Sequence, residues 1–170
     1  RITKPQDLKG KKVGVPEYQL TANVWARAIL EDDFGVNPKD MHWIRGGIEH
    51  AGRPEKITIK LPEGVRLDNA PEGKTISDLL ADGEIDGFIA PRPPAVTGQN
   101  IGWLFRDPVA AAKDYYQRTK IFPIMHLIVI NRDVYERNPF IATSLYKAFN
   151  QAKDIAWKKM RAVQTLRYML

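Results

Sequence analysis

The 170-residue chain contains no cysteine. That absence excludes disulfides, a thiolate nucleophile and any metal centre built on thiolates. No apolar run is long enough to cross a bilayer, and no secretory leader is visible. The missing leader is uninformative, since the chain does not begin at a natural start; the lack of cysteine fits the cytoplasm, with the periplasm as the alternative if the complete gene carries a signal peptide. Histidine is scarce: His42, His50 and His126 are the three. None of them shows close metal-ligand spacing, such as a pair four apart on a helix. A divalent metal held by His and Glu side chains from separate loops stays open, but spacing does not support it. The chain also lacks a Ser/His/Asp arrangement, a phosphate-binding glycine loop, a dinucleotide fingerprint, internal repeats and low-complexity tracts. No Met precedes Arg1, which opens in what reads as the middle of a fold. A piece of a longer protein is the expectation.

Lysine and arginine number 26 against 20 acidic residues, a formal charge of +6. The basic side chains are scattered and not interleaved with aromatics, so nucleic acid is not the expected partner. A moderate positive field suits small anions. At this length the chain can bury one core, or one domain and part of another.

Apolar strands alternate with amphipathic helices. Lys11–Val15 reads as a buried strand turning through Pro16–Leu20 into a helix whose pattern runs through Val24, Trp25, Ala28 and Ile29 to Phe34, with Gly35 ending it. Met41–Arg45 reads as a second strand. Gly46–Pro54 is a glycine-bearing loop, and Ile57–Leu61 with Val65–Leu67 reads as an inserted hairpin. Thr75 is the expected N-cap of a short helix to Asp82, and Ile85–Ala90 the next buried strand. Asn100–Phe105 is a candidate strand, Pro108–Arg118 a helix, Ile124–Ile130 a central strand, and a long helix runs from Asn138-Pro139 to about Arg161. The series implies a parallel sheet with helical crossovers, an α/β lobe of three layers.

In such sheets ligands bind beyond the carboxyl ends of the strands. Glu17, Tyr18, Gln19 and Thr21 lie at the first such end, where free amides and a helix dipole favour an anion; an ordinary β–α turn accounts for the same residues. Glu49 lies in the glycine loop, with His50 and Arg53 near it. Arg92, on a proline-bounded turn after a buried strand, presents a planar fork suited to a carboxylate; a surface ion pair is the structural alternative. Lys74 and Thr75 offer an ammonium and a hydroxyl at a second helix start, or simply a turn and a cap. His126 could be a packed strand residue or a general acid near neutrality.

Asp7–Val15 resembles the segment opening the second lobe of type II periplasmic-binding-protein folds. Several blocks in order resemble the 4,5-dihydroxyphthalate decarboxylase family: Gly14–Gln19, the Trp43…Gly46-Gly47…Glu49…Gly52–Lys56 stretch, Glu72–Thr75, Ala90–Arg92 and Phe122–His126. The resemblance implies a ligand-binding lobe over residues 1–122. Residues 123–170 would be a crossover strand and C-terminal helix of another, incomplete lobe. It also implies a carboxy-lyase acting on a dihydroxylated aromatic dicarboxylate without an organic cofactor, with no nucleic-acid or membrane partner. His126, Arg92 and Glu49 are then the catalytic candidates, and Glu17, Tyr18, Gln19, Thr21, Lys74 and Thr75 the substrate-binding ones. The alternative is a solute-binding protein that captures an aromatic or other carboxylate and performs no reaction. A menaquinone-pathway enzyme on the same fold is a third reading, opposed by the Trp43–Lys56 block. The apolar stripe of the last helix, Ile141, Leu145, Phe149 and Ile155 among others, must find cover, by folding back on the lobe or in a homodimer.

Overall fold

The computed structural model describes residues 2–95 and 101–162. It divides into two compact units, Arg1–Met125 and His126–Leu170.

The first unit is built on four parallel strands: β1 (Lys12–Val15), β2 (His42–Arg45), β3 (Arg66–Asn69) and β4 (Gly87–Phe88), in the order β3-β2-β1-β4. The helices are α1 (Thr21–Phe34), α2 (Ile76–Ala81) and α3 (Pro108–Thr119). Successive strand residues face opposite sides, and the two faces carry different cores. Val13 and Val15 join Trp43, Met41, Leu30 of α1 and Val36 on one side, while Ile44 joins Ile76 and Leu79 of α2 and Ile85 on the other. The expected three-layer α/β lobe with a parallel sheet is therefore present. Gly14 allows α2 its close approach, because a Cβ there would lie 2.7 Å from Ile76 Cγ2 and 2.8 Å from Ile85 Cδ1.

Each helix boundary has a local cause. Thr75 caps α2 by accepting from the Asp78 amide at 3.0 Å, and the Asp78 carboxylate accepts in return from the Thr75 amide at 3.0 Å. Asp107 caps α3 by accepting from the Ala110 amide at 2.9 Å, with Pro108 in the first turn. α1 ends at Gly35, but its N-cap is Leu20 and no side chain caps it, so Thr21 is the first helical residue.

Four expectations need correction. Residues 57–61 form no strand, and no hairpin is present; β3 pairs in parallel with β2 as a sheet edge. The buried strand expected at Ile85–Ala90 shrinks to Gly87–Phe88. Of the candidate strand at 100–105, Asn100 lies outside the described residues and 101–105 carry no strand. Residues 124–130 are likewise not a strand: Leu127 is 78 % exposed and Val129 84 %. Apolar composition marks a need for burial, whereas a strand also needs a backbone partner, and none of the described residues supplies one.

The second unit holds α4 (Arg132–Arg137) and α5 (Phe140–Arg161). Within the single chain the α5 stripe is open. Leu145, Phe149 and Ile155 are all exposed. No helix among the described residues is long and apolar enough to cross a membrane.

Candidate ligand site at the carboxyl edge of the sheet

Because all four strands run the same way, the loops leaving β1, β2, β3 and β4 emerge along one edge. The loop after β1 carries Glu17, Tyr18 and Gln19; that after β2 carries Glu49, Arg53 and Glu55; that after β3, Lys74 and Thr75; that after β4, Arg92. The parallel sheet thus brings to one edge every sequence-predicted site residue except His126, with Thr21 in the first turn of the helix that follows. His126 opens the second unit and is exposed.

Glu17 and Tyr18 are buried, 4 % and 6 % exposed. Burying a carboxylate demands a partner, and Arg53 supplies it. Its Nε donates to Glu17 Oε1 at 2.8 Å and its Nη2 donates to the same oxygen. The Tyr18 ring meets Trp43 edge to face, centroids 5.7 Å apart. Arg27, reaching back from α1, lays its guanidinium 3.7 Å from the Tyr18 ring centroid and donates to the Tyr18 carbonyl at 2.6 Å. Burial pushes the Tyr18 phenol up, so it stays neutral, and pulls the Arg27 guanidinium down against the pull of Glu55.

The Tyr18 amide of this turn is taken by a carboxylate of the chain itself. The Tyr18 N–H donates to Glu55 Oε1. Gln19 Nε2 donates to the Ile57 carbonyl at 3.5 Å, and Thr21 is exposed at the helix start. Two open concavities flank the 54–62 segment. One, of about 360 Å³, is lined by Arg45 and residues 54–59; the other, of about 300 Å³, by Tyr18, Gln19, Arg27 and residues 58–62.

Glu49 accepts the Ala95 amide at 2.8 Å and the Ser77 hydroxyl at 2.7 Å through Oε1. These bonds, the Ala95 amide first, hold its carboxyl below the ordinary value of 4.5. It is a fixed acceptor, not a proton donor, at neutral pH. The second helix start is already occupied. Ile76 and Ser77 amides donate to the Gly47 and Ile48 carbonyls at 2.9 and 3.2 Å, and Thr75 is engaged as the cap. Lys74 turns to Asp82 at 2.7 Å and Glu84 at 3.8 Å. Arg92 is exposed on its turn. Among the described residues no group of three or more acidic or histidine side chains is placed to hold a metal ion.

Sequence reasoning did not single out Arg27 or Glu55. Arg27 had a signal: a cation set among the apolar positions Val24, Trp25, Ala28 and Ile29. Glu55 stood inside the Gly52–Lys56 block of the resemblance, but by itself it showed only the charge alternation Arg53-Pro54-Glu55-Lys56, which equally describes a solvated loop.

No family model matches the chain. It is 52% identical over 162 residues to a 4,5-dihydroxyphthalate decarboxylase of Comamonas testosteroni, covering 94% of this chain and 49% of the relative. It is 52% identical over 119 residues to a 4,5-dihydroxyphthalate decarboxylase of Pseudomonas putida, covering 68% of this chain and 46% of that relative. The resemblance read from the sequence blocks thus extends over nearly the whole chain, and the chain spans about half the length of the curated relatives it matches.

Proposed function

We propose that this chain is part of a carboxy-lyase that decarboxylates 4,5-dihydroxyphthalate or a close dihydroxylated aromatic dicarboxylate to a 3,4-dihydroxybenzoate-type product. The observation that carries this reading is 52% identity over 94% of the chain to a relative of that name. Arg92, exposed at this sheet edge, offers a cation to an aromatic carboxylate.

In 4,5-dihydroxyphthalate each carboxylate lies para to a hydroxyl. A proton added to the ring carbon that bears the departing carboxylate breaks aromaticity, and the para oxygen stabilises the resulting cationic or quinoid ring. The C–C bond then breaks, its electron pair restores the aromatic ring, and carbon dioxide leaves. One proton is consumed and one C–H bond formed, with no oxidant or reductant, so the chemistry asks for no organic cofactor.

In this reading Arg92 clamps the retained carboxylate, and the Tyr18–Thr21 turn provides a second anion position. Glu49, held ionised by Ala95 and Ser77, accepts a phenolic hydroxyl and raises electron density on the ring. His126 is the proposed proton donor, on the chemistry of imidazole near neutrality. The setting is cytoplasmic. The exposed α5 stripe, with Phe149 and Ile155, is read as the contact with a second copy.

The test is product analysis with a protein of the relatives' length containing this sequence. It should convert 4,5-dihydroxyphthalate to 3,4-dihydroxybenzoate. His126→Ala should lower kcat by roughly 10²–10⁴, whereas Arg92→Ala should chiefly raise KM. Tight binding without conversion favours the solute-binding alternative. Near-wild-type kinetics for both variants remove these residues from the mechanism.

A further inference from the structure

The segment from Gly52 to Pro62 crosses the sheet edge without regular secondary structure. Ile59 and Leu61 pack its far end against the core. Its near end, where Arg53, Pro54 and Lys56 are exposed, is held by the Arg53–Glu17 pair and by Glu55 on the Tyr18 amide. Gly52 begins it at φ +79°, a left-handed conformation that costs glycine little.

This closed arrangement leaves polar groups unpaired. Among the described residues Glu55 Oε2, Arg45 Nε and Asn23 Oδ1 are buried without a hydrogen-bond partner. All three belong to this edge. Arg45 ends β2 and lines the larger concavity with Glu55. Asn23, fully buried, points its amide into the β1–α1 turn, donating to the Glu17 carbonyl at 2.7 Å. A buried carboxylate oxygen and a buried guanidinium N–H without partners disfavour the closed state. A ligand carrying its own carboxylate could take the Tyr18 amide, return Glu55 to water and leave Arg45 an acceptor.

We propose that Glu55 is a built-in competitor for the ligand: its carboxylate holds the Tyr18 amide in the free protein, and an aromatic carboxylate binds by displacing it and swinging the Gly52–Lys56 strap outward. The proposal rests on reading this edge as a carboxylate site. It adds that the cradle is self-occupied and must open.

The experiment is an NMR titration of the 170-residue chain with phthalate and, separately, with benzoate, following the Tyr18 amide. Glu55→Gln keeps the shape but weakens a charge-assisted hydrogen bond to a neutral one, and should tighten phthalate binding on the order of tenfold. Gly52→Ala strains the closed strap and should tighten binding in the same direction by a smaller factor. In each case the Tyr18 amide should shift on saturation. Equal or weaker binding by both variants overturns the proposal, as does a Tyr18 amide unmoved by either ligand. If Glu55→Gln does not fold, Gly52→Ala decides alone. Tighter binding in the variants, together with no conversion of 4,5-dihydroxyphthalate by the longer protein, keeps the strap and refutes the decarboxylase.

Discussion

Arg53→Ala removes two donors from a carboxylate that has almost no contact with water. The Glu17 side chain is 5 % exposed and the Arg53 side chain 42 %. A fully buried pair broken in this way loses about 3–5 kcal/mol, whereas an exposed pair contributes about 0–1 kcal/mol. Glu17 belongs to the first case and Arg53 to the second. Deleting the arginine also opens a path for water to the stranded carboxylate, which softens the loss. The expected destabilisation is therefore about 2 kcal/mol, between those limits. With a urea slope of about 1–3 kcal/mol per molar, the unfolding midpoint should fall by roughly 1 M. Fluorescence is a suitable probe, because Trp43 is fully buried while Trp103 and Trp157 are exposed. The double variant Glu17→Gln/Arg53→Ala isolates the cause. If a buried unpaired charge is responsible, neutralising Glu17 should recover part of the loss and make the double variant more stable than Arg53→Ala alone. A midpoint unchanged in Arg53→Ala, or strictly additive losses, would mean that the Glu17 carboxylate does not depend on Arg53.

Gly14→Ala should cost about 1–3 kcal/mol by overpacking, since its Cβ would fall within 2.8 Å of both Ile76 and Ile85; a stability equal to wild type in the same urea assay means that α2 moves away freely. Glu49 should titrate below an ordinary glutamate in a carbon-detected NMR pH series, because the Ala95 amide and then the Ser77 hydroxyl donate to its carboxylate and favour the ionised form. A carboxyl whose folded-state pKa is depressed stabilises the fold above its unfolded value and loses that contribution as pH falls through the folded one. The effect therefore lies below about pH 4.5, and Ser77→Ala should move the midpoint back upward; no movement contradicts the assignment. Light scattering of the 170-residue chain should return a dimer mass through the α5 stripe, and a monomer at high protein concentration defeats that contact.

Much of the first unit was legible because its signals are local. Val13 and Val15 with the Pro16 turn mark β1, and Thr75 marks the start of α2, its capping partner Asp78 lying only three residues on. What was not legible depends on partners far along the chain. Ile57–Leu61 alternates like a strand, yet its apolar members Ile59 and Leu61 anchor an irregular strap to the core. Arg66–Asn69, with only Leu67 partly buried, is a strand because β2 offers it a ladder. Ile124–Ile130 has the composition of a central strand and no ladder among the described residues. The site divides in the same way. The β1–α1 turn was readable as an anion position, whereas its occupant, Glu55, lies 37 residues away, and nothing in the local pattern of either segment points to the other.

Decarboxylation by this protein can be followed isotopically. A protein of the relatives' length containing this sequence is incubated in D₂O with 4,5-dihydroxyphthalate carrying ¹³C in its carboxylates and no added cofactor. The expected outcome is release of ¹³CO₂ and a 3,4-dihydroxybenzoate with a single deuterium on the carbon that lost its carboxylate. Recovery of the dicarboxylate unchanged from a protein that binds it, with no labelled carbon dioxide, rules out the carboxy-lyase and leaves a solute-binding protein.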